Sequence, residues 1–281
     1  MKKIEVIPGI KSSVLGFGCA PVAGSVDKAT ARKAIEKAIG LGINHFDLAR
    51  SYGYGEAESF VGSILKPNRQ EMVIATKFGI EVTAKGKLLT PLKPLVRMAK
   101  GFMPKKPAAP VQEVAVPNQN AISDSFHRRI AITSENLNSN IERSLKSLKT
   151  DYIDYYFVHE PYESIAHIDD VLDTANRLKE QGKIRAFGIA FMQNQRALHL
   201  QYLDKFEVWQ FNNSAGSIGY EAIKAERGVE PNIFFMPIKG GDPSLSAEEK
   251  LKKLHEDFPK SVLLCSMFSE KHIENNSKLF L

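Results

Sequence analysis

Short apolar runs alternate, from residue 14 onward, with longer segments in which apolar residues recur every three or four positions. The runs predict eight strands, at about residues 14–20, 45–48, 72–78, 152–158, 186–191, 206–211, 233–238 and 261–267. Strands that alternate with helices favour a parallel sheet covered by helices. We therefore expect an α/β protein whose fold is a (β/α)8 TIM barrel, formed as a single domain by residues 1–281.

Helix signals agree with this arrangement. Asp27 begins the first predicted helix and Gly42 ends it, while Thr133 is the predicted N-cap of a later helix with Leu137 and Ile141 on one face. Between the sixth and seventh strands the predicted helix covers only about residues 220–227, and the sequence ends within the last predicted helix. The expected barrel therefore has a shortened C-terminal part.

Residues 80–132, after the third strand, contain several prolines and show no steady period, so we interpret them as a long loop insertion. Part of this segment is strongly basic and contains no acidic residue: Lys85, Lys87, Lys93, Arg97, Lys100, Lys105 and Lys106. One interpretation is a solvated lid over the barrel mouth. The other is a docking surface for an acidic carrier protein, a nucleotide-linked substrate or an anionic membrane.

Composition narrows the function classes. The chain has a net charge of +6, but the basic segment contributes seven positive charges and the rest carries −1, so no nucleic-acid surface is expected. Apolar stretches are too short for a membrane helix and the N-terminus lacks a signal-peptide pattern, which predicts a cytoplasmic protein. Cys19 and Cys265 predict two buried, reduced thiols, and no spacing of ligands indicates a metal site.

Four polar residues stand at or just beyond the carboxyl ends of predicted strands: Asp47, Tyr52, Lys77 and His159. In a parallel barrel these ends converge on one mouth. Strand parity groups Lys77 with Val73 and Ala75, and His159 with Tyr155 and Phe157. Both groups are consistent with side chains that point into the barrel.

Each of the four also has a structural explanation. Asp47 can be a turn residue, Lys77 can belong to a structural ion pair, and His159 can be a hydrogen-bonded core residue. Tyr52 can be a packing residue, and Tyr54 is an alternative phenol in the same loop.

Together the four residues predict acid chemistry on a carbonyl. The pKa of a phenol is near 10, and a nearby ammonium such as that of Lys77 is expected to lower it. Asp47 would hold the ammonium and neutral His159 would bind the substrate oxygen, so Tyr52 could protonate that oxygen as a hydride arrives from a cofactor.

Three stretches resemble the aldo-keto reductase superfamily: NHFDLARSYGYGEAE at 44–58, VIATKFG at 73–79 and SLKSLKTDYIDYYFVHEP at 144–161. The resemblance implies an eightfold barrel that binds NADPH in an extended form, with NADH possible. It also implies roles for the four residues: Tyr52 as the acid, Lys77 and Asp47 as its tuners, and His159 as the group that orients the carbonyl.

The same resemblance implies a set of cofactor-binding positions. They are Gly18, Cys19, Asp47, Ala190, Phe191, Gln210, Asn213, Pro237, Ile238, Lys239, Gly240, Met267, Ser269, His272, Asn275 and Asn276. Gln210 matches the family glutamine that holds the nicotinamide amide. Ala190 and Phe191 replace the usual Ser-Asn pair, and Asn213 replaces the tyrosine that stacks on the nicotinamide.

Three functions follow as hypotheses. The first is a monomeric NAD(P)H-dependent reductase of an aldehyde or ketone, which could also oxidise the alcohol and whose substrate could be nucleotide- or carrier-linked. The second is a non-catalytic cofactor-sensing protein, similar to the reductase-like subunits of potassium channels. The third is a lyase or aldolase that forms a Schiff base on Lys77.

Overall fold

The structure is a computed structural model that describes residues 1–88 and 126–281. Its strands are β1 (Lys3–Glu5), β2 (Lys11–Ser13), β3 (Leu15–Gly18), β4 (His45–Asp47), β5 (Val73–Phe78), β6 (Ile80–Val82), β7 (His127–Arg129), β8 (Ile153–His159), β9 (Ile184–Phe191), β10 (Val208–Asn212), β11 (Ile233–Phe235) and β12 (Val262–Cys265). Its helices are α1 (Lys28–Gly40), α2 (Ala57–Leu65), α3 (Ala84–Leu88), α4 (Ser134–Leu148), α5 (Ile168–Glu180), α6 (Tyr220–Arg227), α7 (Ala247–Asp257) and α8 (Glu270–Lys278). Short 3₁₀ turns cover Tyr52–Gly55, Lys66–Glu71, Gln193–Leu198 and Leu203–Lys205.

Eight of these strands form a closed, all-parallel barrel in the order β3, β4, β5, β8, β9, β10, β11 and β12. The barrel closes because β12 pairs with β3, where Cys265 lies opposite Phe17. The eight strands are those expected from the sequence, so the predicted (β/α)8 fold is confirmed. The predicted seventh strand was too long, since β11 ends at Phe235.

Alternate residues of the barrel strands separate into two buried clusters. One fills the barrel interior and includes Val73, Ala75, Tyr155 and Phe157. The other lies between the strands and the helices and includes Ile74. This separation confirms the strand parity that grouped Lys77 and His159 with inward-facing residues.

A hairpin of β1 and β2 covers the amino ends of the barrel strands, and the sequence analysis did not predict it. Val6 and Ile10, between its two strands, join the interior cluster. The hairpin turns at Gly9, whose φ of 82° is readily adopted only by glycine. Strands of three residues are too short to show the alternation on which the predictions rested.

The helices begin with the caps that the sequence indicates. Asp27 caps α1 by accepting a hydrogen bond from the backbone N–H of Thr30, and Thr133 caps α4 in the same way. The sequence analysis missed α7, which begins with a capping box formed by Ser246 and Glu249. None of the helices in the described ranges has the length and apolar content to cross a membrane.

The inserted segment is ordered at both of its ends. β6 and β7 pair in an antiparallel hairpin, and the short helix α3 follows β6. The expectation of a structureless loop over all of 80–132 is therefore wrong at these ends. Most of the predicted basic segment, including Lys93, Arg97 and Lys100, lies outside the described residues.

Candidate active site

A buried ion pair lies at the carboxyl end of the barrel. Lys77 Nζ lies 2.7 Å and 2.6 Å from the two carboxylate oxygens of Asp47 and 2.8 Å from the carbonyl oxygen of Leu48. The two charged residues are 2% and 4% exposed. Gln210 Nε2 donates to Asp47 Oδ1 at 2.7 Å. The carboxylate is thus held from two strands that are remote in sequence.

Tyr52 lies above this pair in the loop after β4. Its ring centroid is 5.2 Å from Lys77 Nζ and 5.8 Å from the His159 ring, which it meets edge to face. Gly53 follows with a φ of 60°, and a Cβ there would lie 2.5 Å from the carbonyl oxygen of Val22, so the turn requires glycine. The structure therefore brings all four predicted catalytic residues together.

Tyr54, the alternative phenol, lies elsewhere in the same loop. Its ring stacks on His127 at 5.7 Å and meets Phe126 at 6.1 Å. It thus contacts the base of the inserted segment, whereas Tyr52 contacts His159.

The pKa of Tyr52 is raised well above its ordinary value, mainly by burial and then by the charges of Asp47, Glu160 and Cys19. The prediction that Lys77 lowers this pKa is therefore wrong for this structure. An ammonium has three N–H donors, and those of Lys77 bind Asp47 and the Leu48 carbonyl. A phenol with a raised pKa is protonated at neutral pH, although it gives up its proton less readily than a free phenol.

His159, at the end of β8, is 6% exposed. Burial, followed by the positive charges of Lys77 and Arg129, lowers its pKa well below the usual value. The imidazole is therefore neutral at physiological pH, as the sequence analysis expected. Its buried Nδ1 has no hydrogen-bond partner within the described ranges.

The end of β10 presents two buried polar atoms without partners among the described residues: Gln210 Oε1 and Asn213 Nδ2. The first is an acceptor and the second is a donor. Ala190 lies inward in the interior cluster. Phe191 instead packs its ring in the outer layer, 5.6 Å from the ring of Phe211, so the structure does not bring it to the other predicted cofactor residues.

The loop after β11 contains the predicted residues Pro237, Ile238, Lys239 and Gly240. Ser214 Oγ lies 2.9 Å from the carbonyl oxygen of Pro237 and 3.2 Å from that of Gly240. Lys250, which is 7% exposed, donates to the carbonyl oxygen of Gly240 at 2.6 Å. The sequence analysis missed both tethers, because neither side chain stands in a motif.

The remaining predicted residues lie around the end of β12 and the start of α8. Ser266 Oγ donates to the Gly18 carbonyl oxygen at 3.0 Å. Asn276 Nδ2 contacts Met267 Sδ at 3.3 Å. Cys19 is a buried free cysteine whose backbone N–H donates to the Asp47 carbonyl oxygen. Three further predicted residues are exposed on this side: Ser269, His272 and Asn275.

Two charged residues that the sequence analysis did not select also line the mouth. Arg129, on β7, donates to the carbonyl oxygen of Glu160, the residue after His159. The guanidinium lies 3.3 Å from the ring centroid of Tyr162. No sequence signal links these residues, because the contact joins the inserted segment to the end of β8.

The described part of the chain contains no cluster of His, Cys, Asp and Glu that could hold a metal ion. Cys265, like Cys19, is buried and free. The two predicted thiols are thus confirmed as free side chains.

Comparisons with known proteins agree with the geometry. Residues 14–215 match the family model of the aldo/keto reductase family. Aldo-keto reductase YhdN of Bacillus subtilis is 29% identical over 188 residues, which cover 65% of this chain and 44% of that protein. The NADH-specific methylglyoxal reductase of Escherichia coli is 28% identical over 203 residues, which cover 68% of this chain and 52% of that protein. The chain spans about half the length of the curated relatives it matches.

Solved structures share the fold over nearly the whole chain. An aldo-keto reductase from Bacillus halodurans in its holo form superposes with a TM-score of 0.68 at 22% identity, covering 99% of this chain and 90% of that one. An aldo-keto reductase from Klebsiella pneumoniae in complex with NADPH superposes with a TM-score of 0.67 at 16% identity, covering 99% of this chain and 89% of that one. At these identities the likeness concerns the fold alone. The family match, over most of the chain, shows that this protein belongs to the aldo/keto reductase family.

Proposed function

We propose that the protein is an oxidoreductase that reduces an aldehyde or ketone to an alcohol with NADP(H) or NAD(H), and that Tyr52 is the general acid. The observation that carries this proposal is the convergence of the Lys77–Asp47 ion pair, the Tyr52 phenol and the neutral His159 imidazole at one barrel mouth. A phenol, an ion pair and an imidazole form a proton-donating site for a carbonyl oxygen.

The residues at the end of β10 fit a nicotinamide. Its carboxamide has one donor group and one acceptor group, and Gln210 Oε1 and Asn213 Nδ2 are a buried acceptor and a buried donor without partners in the described residues. Asp47 accepts a hydrogen bond from Gln210 Nε2, which fixes the orientation of the Gln210 amide with Oε1 directed away from Asp47. The pyrophosphate would lie at the Pro237–Gly240 loop, which Ser214 and Lys250 hold. When bound, the cofactor supplies a hydride.

The relatives leave the choice of cofactor open. A structural neighbour from Klebsiella pneumoniae is described as a complex with NADPH, while a relative from Escherichia coli is named as NADH-specific. We propose NADP(H) as the principal cofactor, with NAD(H) as the alternative.

The chain's own groups perform the proton chemistry. His159 donates a hydrogen bond to the carbonyl oxygen and so orients it. As the carbonyl carbon receives the hydride, Tyr52 transfers its phenolic proton to the same oxygen, and the resulting phenolate later takes a proton from water. The Lys77–Asp47 ion pair lies beside the reacting phenol, with Lys77 Nζ 5.2 Å from the Tyr52 ring centroid.

Replacing Tyr52 by phenylalanine tests the proposal. We expect Tyr52→Phe to lower the turnover of a carbonyl panel by about 10²–10⁴-fold, the usual contribution of a general acid. Cofactor affinity, measured by nicotinamide fluorescence, should not change. Tyr54→Phe is the matched control, because Tyr54 stacks on His127 rather than on His159. Full turnover by Tyr52→Phe would disprove the role of Tyr52.

A non-catalytic, cofactor-sensing protein is the second candidate. The observation that favours it is the lack of a polar side chain at Ala190 and the outward packing of Phe191. Tight cofactor binding without turnover of any carbonyl in the panel would support it.

A lyase is less well supported. A Schiff base requires a free amine, whereas the Lys77 ammonium donates to Asp47 and Leu48. Covalent trapping of a carbonyl compound on Lys77 by borohydride would revive that hypothesis.

A further inference from the structure

The base of the inserted segment forms one wall of the active-site mouth. His127 Nε2, on β7, lies 3.3 Å from the carbonyl oxygen of Ser51, next to Tyr52. Ile130 N–H donates to the carbonyl oxygen of Gly79 at 2.9 Å, and a Cβ on Gly79 would lie 3.4 Å from the carbonyl oxygen of His159. The hairpin of β6 and β7 thus contacts the backbone beside both Tyr52 and His159.

Arg129 is held rigidly on this wall. One end of its guanidinium donates to the Glu160 carbonyl oxygen, and its plane covers the Tyr162 ring at 3.3 Å. A guanidinium has five N–H donors, and within the described ranges that of Arg129 donates only to Glu160, so donors remain for a ligand. The side chain is 29% exposed, so part of it is accessible to solvent.

Glu160 places a carboxylate beside that guanidinium. It adopts a φ of 43°, which is uncommon for a residue with a Cβ, and its N–H donates to the Ala190 carbonyl oxygen at 2.7 Å. Glu160 Oε2 lies 4.0 Å from Arg129 Nη2, beyond hydrogen-bond distance. Over residues 1–88 and 126–281, its carboxylate oxygens receive no hydrogen bond.

We propose that Arg129 and Glu160 bind a hydroxyl group of the substrate, so that the preferred substrates are uncharged carbonyl compounds with hydroxyl groups near the carbonyl. This inference rests on the proposed reductase function. A hydroxyl group donates one hydrogen bond and accepts others, so it satisfies a carboxylate and a guanidinium together. The pair carries no net charge, so it gives neither an anionic nor a cationic group the attraction that a guanidinium or a carboxylate alone would give. The Glu160 charge acts on the Tyr52 phenol, and Arg129 donates to the backbone that directly follows His159, so the hydroxyl group would lie near the carbonyl that these residues hold.

Four three-carbon aldehydes test this inference with the full chain: glyceraldehyde, propanal, 3-oxopropanoate and 3-aminopropanal. We expect kcat/KM for glyceraldehyde to exceed that for propanal by about tenfold or more, the effect of a hydrogen bond to a charged group. Glu160→Gln and Arg129→Gln should each reduce this ratio by about tenfold. Glu160→Gln should also raise kcat/KM for 3-oxopropanoate relative to that for propanal. Arg129→Gln should raise kcat/KM for 3-aminopropanal relative to that for propanal.

Arg128→Gln is the matched control. Arg128 neighbours Arg129 on β7 but pairs with Glu81 at 2.9 Å, and its side chain is 67% exposed. We expect it to leave unchanged the three ratios of kcat/KM, those for glyceraldehyde, 3-oxopropanoate and 3-aminopropanal relative to propanal. Arg129→Lys keeps the positive charge, so kcat/KM for 3-aminopropanal relative to propanal should return from its raised value in Arg129→Gln to that of the unaltered protein. A variant that had lost its fold would not show this return.

Equal kcat/KM for glyceraldehyde and propanal in the unaltered chain would overturn the inference and leave the proposed function intact, as would ratios that neither variant changes. Absence of turnover with all four aldehydes would instead contradict the proposed function. In that case, saturation-transfer NMR with glycerol against 1-propanol decides the inference. Glycerol contact that Glu160→Gln abolishes supports it, and equal signals from both alcohols overturn it.

Discussion

Two polar side chains occupy the interior of the same barrel at different heights. His45 begins β4, near the amino ends of the strands, and Lys77 lies near the carboxyl end of β5. Lys77 is ion-paired with Asp47 at 2.6 Å. Among the residues that the structure describes, His45 has no carboxylate partner: its Nδ1 lies 3.0 Å from Ser12 Oγ and its ring stacks on Tyr155 at 5.6 Å.

The two heights show two ways to bury an ionisable group. Burial, followed by the charge of Lys77, lowers the pKa of His45 to about 3, so this side chain is neutral. At the mouth an opposite charge compensates the desolvation of Lys77. At the amino end of the barrel the buried ionisable group is thus a neutral side chain packed among its neighbours, whereas at the carboxyl end it belongs to an ion pair next to Tyr52.

Breaking the charge pair should have the largest effect. Asp47→Ala leaves Lys77 buried without an opposite charge, which costs about 3–5 kcal/mol of unfolding free energy, and it should also abolish turnover. The double variant Asp47→Leu/Lys77→Met should recover most of the stability, because a buried pair can be replaced by apolar side chains of similar volume. Urea unfolding measures both. A double variant as unstable as Asp47→Ala would show that the pair does not explain the loss.

Lowering the pH should reduce the free energy of unfolding, because His45 is buried in its neutral form. The folded-state pKa of His45 lies below the unfolded value near 6.5, so its stabilising effect is complete above that pH and is lost as the pH falls toward 3. Between about pH 7 and pH 5 this group alone should cost about 2 kcal/mol.

The pH slope of urea unfolding separates His45 from other groups. His45→Phe keeps an aromatic ring against Tyr155 but cannot titrate, so its stability should fall less between these two pH values. His272→Gln, at an exposed position, is the control and should keep the slope of the unaltered protein. Identical slopes for His45→Phe and the unaltered protein would contradict the assignment.

Ser12→Ala should have a smaller effect than either change. It removes the hydroxyl partner of a buried imidazole nitrogen, a neutral hydrogen bond worth about 1 kcal/mol. The same measurement at neutral pH should show this loss without a change in turnover, because Ser12 lies at the amino end of the barrel. A loss as large as that of Asp47→Ala would remove the distinction between the two heights.

The sequence predicts what depends on local pattern. The inward positions of Lys77 and His159 follow from strand parity, and the cap at Thr133 follows from residue type; the structure confirms both. The helix α7 was missed even though Ser246 and Glu249 have capping-box spacing. A local signal for the start of this helix is therefore present in the sequence.

Other features depend on contacts between remote segments. The pKa of Tyr52 was predicted with the wrong sign, because the sign depends on where the Lys77 N–H groups point and on how deeply the phenol is buried. Arg129 and Glu160 meet only because the inserted segment folds back over the end of β8. No spacing along the chain encodes either contact.

The smallest predicted effect concerns the pH dependence of the mouth. The Glu160 charge is one cause of the raised pKa of Tyr52, after burial and Asp47. Glu160→Gln removes that negative charge and should lower the pKa of Tyr52. Since reduction requires the protonated phenol, the alkaline fall in kcat should then begin at lower pH than in the unaltered protein.

Glu163→Gln, at an exposed position three residues later, is the control and should leave the pH profile of kcat unchanged. A profile that Glu160→Gln shifts to higher pH, or leaves in place, would mean that the Glu160 charge does not reach the phenol. Burial and the Asp47 charge would then be the main causes of the raised pKa of Tyr52.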